Sequence, residues 1–367
     1  MSVTRFIPAF FAAGALSLGS ADAAAATRYV FATFLGDAVS AEKLSIYTSS
    51  DGLNFTLLAN TGYGGPTGVL RDPSIMKHSD GKYYIAYTLQ SWTTTSTSFG
   101  IASSSDLLEW TFLAEVAAGV TDAQYTWAPE WFKDTDGIHL IVNINAVSGD
   151  NDFRSYDFKA TDDTLTRWDA PVAIGIGPNN IDTFIVKDGA TYHAFSKNET
   201  TKYVEHATAS TLWGPWTWIG TGDWAGWGSG KEGISVFRLD DGEWRMFLDC
   251  YNDCGFLYAT GSDLSTWSGT MIVPGGLSGV VRHGTVLREE LDAGSVGEGT
   301  QDAGADASDA GSVGNRTVEG GGCGCSVSGS SSRTWWIAAL GLVFAAARRR
   351  RSPKAAVSRL VGHDDAG

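Results

Sequence analysis

One repeat constrains this chain more than any other feature. Four segments read strand, Asp-Gly turn, strand: PSIMKHSDGKYYIAYT, PEWFKDTDGIHLIVNI, DTFIVKDGATYHAFSK and SVFRLDDGEWRMFLDC. Asp-Gly between alternating apolar runs marks a tight hairpin, because the turn needs residues at positive φ. The turn aspartates Asp80, Asp136, Asp188 and Asp241 recur about every fifty residues, the length of one propeller blade.

A second pattern follows each hairpin: a strand, a polar turn and an aromatic residue. The aromatics are Phe55, Trp110, Trp168, Trp216 and Trp267. Together the two patterns make one four-stranded antiparallel unit. Five unit ends but only four full unit starts are present. The unmatched end lies in Arg28–Leu58 and the unmatched start in His283–Arg288. The sequence therefore predicts an all-β, five-bladed β-propeller whose last blade is closed by N-terminal strands. Closure removes the open sheet edges that invite aggregation. A plain β-sandwich is the alternative, and it has no reason to show this period.

Aromatics make up 12% of the 367 residues, including 14 Trp, so the expected core is aromatic. The net charge of −15 argues against a nucleic-acid partner, since phosphate binding needs a basic face. Residues 1–26 read as a secretory signal: Arg5, the apolar run Phe6–Gly19 and the cleavage pattern Ala21-Asp22-Ala23. The propeller is expected over 27–288. An acidic, Gly- and Ser-rich linker is expected over 289–332, and a short apolar helix with an Arg cluster over 333–367. Export permits disulfides, and Cys250 and Cys254 sit close enough in sequence to pair. The apolar run Trp335–Ala347 is shorter than the roughly 20 residues of a bilayer span.

In a propeller the first strand of each blade lines the central channel, so its start brings together side chains from distant parts of the chain. Those starts read Arg71-Asp72-Pro73, Trp127-Ala128-Pro129-Glu130, Asn180-Ile181-Asp182, Lys231-Glu232-Gly233 and Arg282-His283-Gly284. All five carry a charged or titratable residue at the same place. Several carboxylates facing one cavity suit glycoside hydrolysis. One carboxyl must carry a proton for the leaving oxygen, and another must be ionised to activate water.

The series RDPSI, WAPE, ID, EG and HG, in that order and one per blade, resembles glycoside hydrolase family 43 over Arg28–Arg288. The resemblance implies a propeller glycosidase acting with inversion on arabinose- or xylose-containing polysaccharides. It implies Asp72 as general base, Glu232 as general acid and Asp182 as the acid that orients Glu232 and tunes its proton affinity. It implies sugar contacts from Arg71, Trp127 and Glu130, and a central His283. No cofactor is required, but calcium or another metal ion beside His283 is compatible with it. The order Gly-Cys motif, apolar helix and Arg cluster after residue 320 is similar to the myxobacterial C-terminal sorting tail. That implies a tail that associates with the membrane or is processed by a sorting protease, and display at the cell surface or release of a monomeric enzyme.

The sequence departs from the family pattern at Gly233-Ile234, Thr183 and Arg282. Two other functions compete: a surface carbohydrate-binding propeller without activity, and a sucrose- or fructan-type retaining enzyme. The second lacks an Asp-Pro-Asn motif upstream of Arg71, where Asp37 is the one early acid with a plausible channel position. Each residue also has a plainer reading. Arg71 and Asp72 can form an ion pair, Glu130 can serve a neighbouring blade, and His283 can be a core histidine. Trp224 and Trp227, in the Gly-rich loop before Glu232, read as sugar-stacking candidates, with packing under the blade as the alternative.

Overall fold

A computed structural model describes residues 26–91, 94–146, 152–252 and 254–291. The strands in chain order are β1 (Ala26–Thr33), β2 (Ser45–Ser49), β3 (Thr56–Asn60), β4 (Arg71–Lys77), β5 (Tyr83–Thr88), β6 (Ser98–Ser104) and β7 (Thr111–Ala117). They continue with β8 (Ala123–Asp134), β9 (Gly137–Ala146), β10 (Phe153–Lys159), β11 (Val172–Ala173), β12 (Asn180–Asp188), β13 (Thr191–Asn198), β14 (Val204–Ala209) and β15 (Thr217–Gly220). The last five are β16 (Lys231–Arg238), β17 (Trp244–Cys250), β18 (Gly255–Gly261), β19 (Met271–Ile272) and β20 (Gly284–Leu291).

They form five four-stranded antiparallel sheets, the blades of a β-propeller. Blades one to four are β4–β7, β8–β11, β12–β15 and β16–β19, each a simple meander. The fifth has the order β20-β1-β2-β3, so one strand from the end of the domain and three from its beginning close the ring. Thr33 pairs with Gly284 and Ala26 with Leu291.

The closing strand runs past the expected boundary at Arg288. Glu289 belongs to β20 and not to an acidic linker, because its buried carboxylate is neutralised by Arg28 at 2.6 Å and Lys77 at 2.9 Å. The remaining linker, the signal segment and the tail lie outside the described residues. Among the described residues no helix is long and apolar enough to cross a membrane.

Each junction between neighbouring blades holds one apolar cluster. The junction that closes the ring joins Phe31 and Phe55 of the fifth blade to Phe237, Phe247 and Phe256 of the fourth. Phe31 meets Phe247 edge-on at 5.8 Å, a geometry in which aromatic quadrupoles attract. The repeated polar turns work as expected: Asp51, Asp106 and Asp263 each accept two backbone N–H bonds.

Polar side chains also tie the inner strands together around the channel. The backbone N–H groups of Trp131, Ile75 and Val286 donate to the hydroxyls of Ser74, Thr285 and Ser235 on neighbouring blades, at 2.9–3.0 Å. These three hydroxyl residues occupy the same position of their respective strands. Inner strands cannot hydrogen-bond to one another as a ladder, so these side chains satisfy N–H groups that would otherwise be buried and unpaired.

Candidate active site

The site begins with a local backbone device. Four of the five inner strands carry a β-bulge in their first turn, between Arg71 and Ser74, Trp127 and Glu130, Ile181 and Phe184, and Glu232 and Ser235. At each bulge one residue has positive φ: Asp72 at 48°, Ala128 at 44°, Asp182 at 51° and Gly233 at 63°. Bulges re-aim side chains and end pairing, and they recur at functional sites. For Asp72 and Asp182 this conformation costs on the order of 1 kcal/mol each, held in place by the surrounding fold. Gly233 has a further reason: a Cβ there would lie 2.7 Å from His283 Cγ.

The bulges turn three expected carboxylates into one cavity of about 430 Å³. Asp72, Asp182 and Glu232 all line it, together with Arg71, Trp127 and His283. These six sequence-predicted residues, drawn from all five blades, do converge. Trp127 stacks on Phe153 with ring centroids 4.5 Å apart, which fixes its face at the wall. Arg71 reaches the buried Glu42 at 3.1 Å and Asp37 at 2.8 Å, and its guanidinium lies over the Phe34 ring. It is paired as the plainer reading expected, but with these acids.

His283 sits at the centre and is buried. Its Nδ1 lies 3.5 Å from Asp72 Oδ1 and 3.7 Å from Asp182 Oδ2, and its Nε2 lies 3.3 Å from Glu130 Oε1. Burial alone would strip its proton. The surrounding charges of Asp182, Asp72 and Glu130 outweigh burial and raise its pKa well above the usual histidine value. The acids around it therefore favour the protonated ring.

The carboxylates respond differently to the same ring. Burial favours a proton on Asp72, but the His283 hydrogen bond and charge, with Arg71, pull its pKa down to about 2. Burial raises Asp182, and the neighbouring Glu232 charge adds to it against His283, leaving a pKa of about 7. Asp182 Oδ2 also accepts the Gly233 N–H at 2.9 Å, so it fixes the backbone beside Glu232. Glu232 Oε2 is 2.7 Å from Lys197 Nζ, and its Oε1 is 3.8 Å from Arg282.

Two expectations need correction. Glu130 does not face the cavity: it lies beneath His283, nearly fully buried, and accepts from that ring. Its proline-flanked bulge places it two residues deeper in the channel than Asp72 stands in its own strand. Trp224 and Trp227 do not face sugar either. Their indole N–H groups donate to the Val204 and Ser268 carbonyls, and both rings pack in the junction between blades three and four. Aromatic area of this size is more stable between blades than in water.

Beneath His283 one buried oxygen, Glu130 Oε2, has no hydrogen-bond partner. Among the described residues no group of three or more His, Cys, Asp or Glu has the arrangement of a metal site.

Other cavity residues escaped the reading of inner-strand starts. Lys197 is the next-to-last residue of β13, a second strand, and Tyr251 follows β17. Asp37, the early acid singled out in the sequence for a channel position, does line the cavity from the loop after β1, where it bridges Arg71 at 2.8 Å and Arg282 at 3.0 Å. Asp249 accepts from the Arg282 side chain at 2.8 Å and from the His283 backbone at 3.0 Å. The Cys250–Cys254 disulfide brackets Tyr251. A buried Lys within a strand was the one signal that could have found Lys197.

Three solved structures are similar to this chain. An exo-β-1,3-galactanase from Clostridium thermocellum aligns with a TM-score of 0.52 at 14% identity, covering 70% of this chain and 62% of that one. An endo-1,4-β-xylanase from Bacteroides thetaiotaomicron aligns at 0.49 and 17% identity, covering 68% and 96%. An α-L-arabinanase from Cellvibrio cellulosa, complexed with arabinohexaose, aligns at 0.48 and 19%, covering 67% and 92%. No curated protein matches the sequence. A family model described as a probable glycosyl hydrolase domain, of the family 43-related type, matches residues 24–291. The five-bladed propeller with its carboxylate-lined cavity therefore belongs to the family 43-related glycosyl hydrolases.

Proposed function

We propose that the chain hydrolyses glycosidic bonds in arabinose- or xylose-containing polysaccharides, with inversion at the anomeric carbon. Asp72, ionised, takes a proton from water. Glu232 donates to the leaving oxygen. Asp182 holds the Gly233 backbone and keeps a proton in the acid half of the site near neutral pH. The observation that carries this reading is the convergence of Asp72, Asp182 and Glu232 on one cavity, with the proton affinity of Asp72 lowered by His283 and Arg71 and that of Asp182 raised by burial and Glu232. Acid and base roles on one sugar need two carboxyl environments pushed apart in this way. Arg71 and Trp127 shape the sugar pocket.

The test is a screen on aryl arabinofuranosides, aryl xylosides and arabinan, with Glu232→Ala as control. An aryl galactoside belongs in the screen because the galactanase shares the fold. Turnover by the wild-type chain and loss in the control supports the reading, and inversion is read from the first anomer formed by NMR. Sugar binding without turnover on any substrate would instead support a binding propeller.

We also propose export and surface display. The Cys250–Cys254 disulfide supports an oxidising compartment. Deleting residues 323–367 should release a folded propeller into the medium; unchanged surface retention would overturn the sorting role.

A further inference from the structure

Lys197 is a cation for which the acid–base scheme above has no use. Its side chain is only 5% exposed, yet it carries an ammonium group. Burial works to remove that charge, but Glu232, Asp182 and Glu199 more than restore it, so the amine is charged throughout the working range. Its Nζ reaches Glu199 Oε1 at 2.6 Å and Glu232 Oε2 at 2.7 Å. The same Nζ stands 4.4 Å above the centroid of the Tyr251 ring. Glu199 is held in turn by Lys202.

Three independent constraints thus fix one atom. β13 is in register with β12, with Lys197 opposite Ile181, the residue before Asp182. Glu199 anchors the ammonium from the turn beyond β13. The disulfide-bracketed Tyr251 caps it with an aromatic face, an attractive placement for a desolvated cation. Glu232, by contrast, has a flexible three-torsion side chain whose backbone is set by the Gly233 bulge but whose carboxyl is not. Lys197 supplies the nearest contact to that carboxyl, and Arg282 stands farther off at 3.8 Å.

We infer that Lys197 is a positioning residue for the general acid: it holds the Glu232 carboxyl at the point in the cavity from which a proton reaches the leaving oxygen. This inference rests on the assignment of Glu232 as the acid. An ammonium has three donor hydrogens, and Glu199 and Glu232 account for two. Lys197 holds Oε2, which leaves Oε1 to carry the proton that passes to the leaving oxygen.

The consequence is specific to the leaving group. Glycosides with a poor leaving group depend on protonation in the transition state, whereas dinitrophenyl glycosides do not. In Lys197→Met, kcat on alkyl glycosides or oligosaccharides should fall about 100-fold, the usual effect of an angstrom-scale misplacement. On dinitrophenyl glycosides the loss should stay below about threefold. Lys197→Arg should recover part of the lost rate, because the charge and reach are kept. In a Glu232→Gln background, Lys197→Met should add little, since the group it positions no longer donates. Where Lys197→Met does not fold, Glu199→Gln loosens the same amine and should give a smaller split of the same sign.

Equal losses on both substrate classes would overturn the positioning role, as would full additivity with Glu232→Gln. If Glu232→Gln itself shows no dependence on leaving group, the acid assignment fails first, and the two failures are told apart.

Discussion

Asp72 and Asp182 occupy the same place in two blades. Each follows the first residue of a bulge, each has φ near 50°, and each is buried against the same His283 ring. Their proton affinities nonetheless move in opposite directions, down for Asp72 and up for Asp182. The backbone therefore does not set the proton affinity. The neighbours do: His283 of the fifth blade, with Arg71, pulls Asp72 down, while burial and the Glu232 charge from the fourth blade push Asp182 up. A symmetric scaffold thus gains an asymmetric site through the side chains that adjacent blades supply.

The strongest way to break this comparison is to neutralise its members singly. Asp72→Asn should cost about 10²–10⁴-fold in kcat on every substrate, dinitrophenyl glycosides included, because inversion leaves no other group to activate water. Wild-type turnover in that variant would pass the base role to Asp37, which also lines the cavity.

The next effect falls on pH dependence. His283 lowers both carboxyls, and for Asp72 its influence exceeds that of Arg71. His283→Gln should therefore raise both, each by about one unit or more. Activity needs Asp72 ionised, so a higher Asp72 value moves the acid limb of kcat/KM to higher pH. A limb that stays in place, in a variant shown to be folded by circular dichroism, would remove His283 from the electrostatic account.

The smallest effect separates two kinds of tryptophan. Trp127 lines the cavity and Trp224 packs between blades. Trp127→Ala should raise KM about tenfold, the equivalent of one lost aromatic contact. Trp224→Phe should leave KM within about twofold while lowering thermal stability through the lost Val204 bond. A KM effect at Trp224 would restore it to the sugar site.

These outcomes bear on how much could be read from the chain. The blade period and the shared closing blade were legible because hairpin turns and inner strands impose local patterns that repeat. The three carboxylates of the cavity were legible for the same reason: each stands at the start of an inner strand. Lys197 and Asp249 were not, because they stand next to last in second strands, where β-alternation predicts nothing about the channel. Trp224 and Trp227 misled because their loop is rich in glycine and reads as exposed, whereas the turns it makes tuck both rings into a blade junction. Glu130 meets His283 of the fifth blade rather than sugar or a neighbouring blade, since local sequence does not show how deep a bulge sets a side chain.

The most direct measurement follows the two aspartates in one sample of the unmodified propeller. Carboxyl ¹³C shifts of Asp72 and Asp182, assigned by single Asn variants, are recorded from pH 2 to pH 9. Asp72 should remain ionised down to the acid end, with a midpoint near 2, while Asp182 takes up its proton with a midpoint near 7. Two midpoints together in the ordinary aspartate range, about 3–4.5, would contradict the account that the side chains of neighbouring blades set these two aspartates apart.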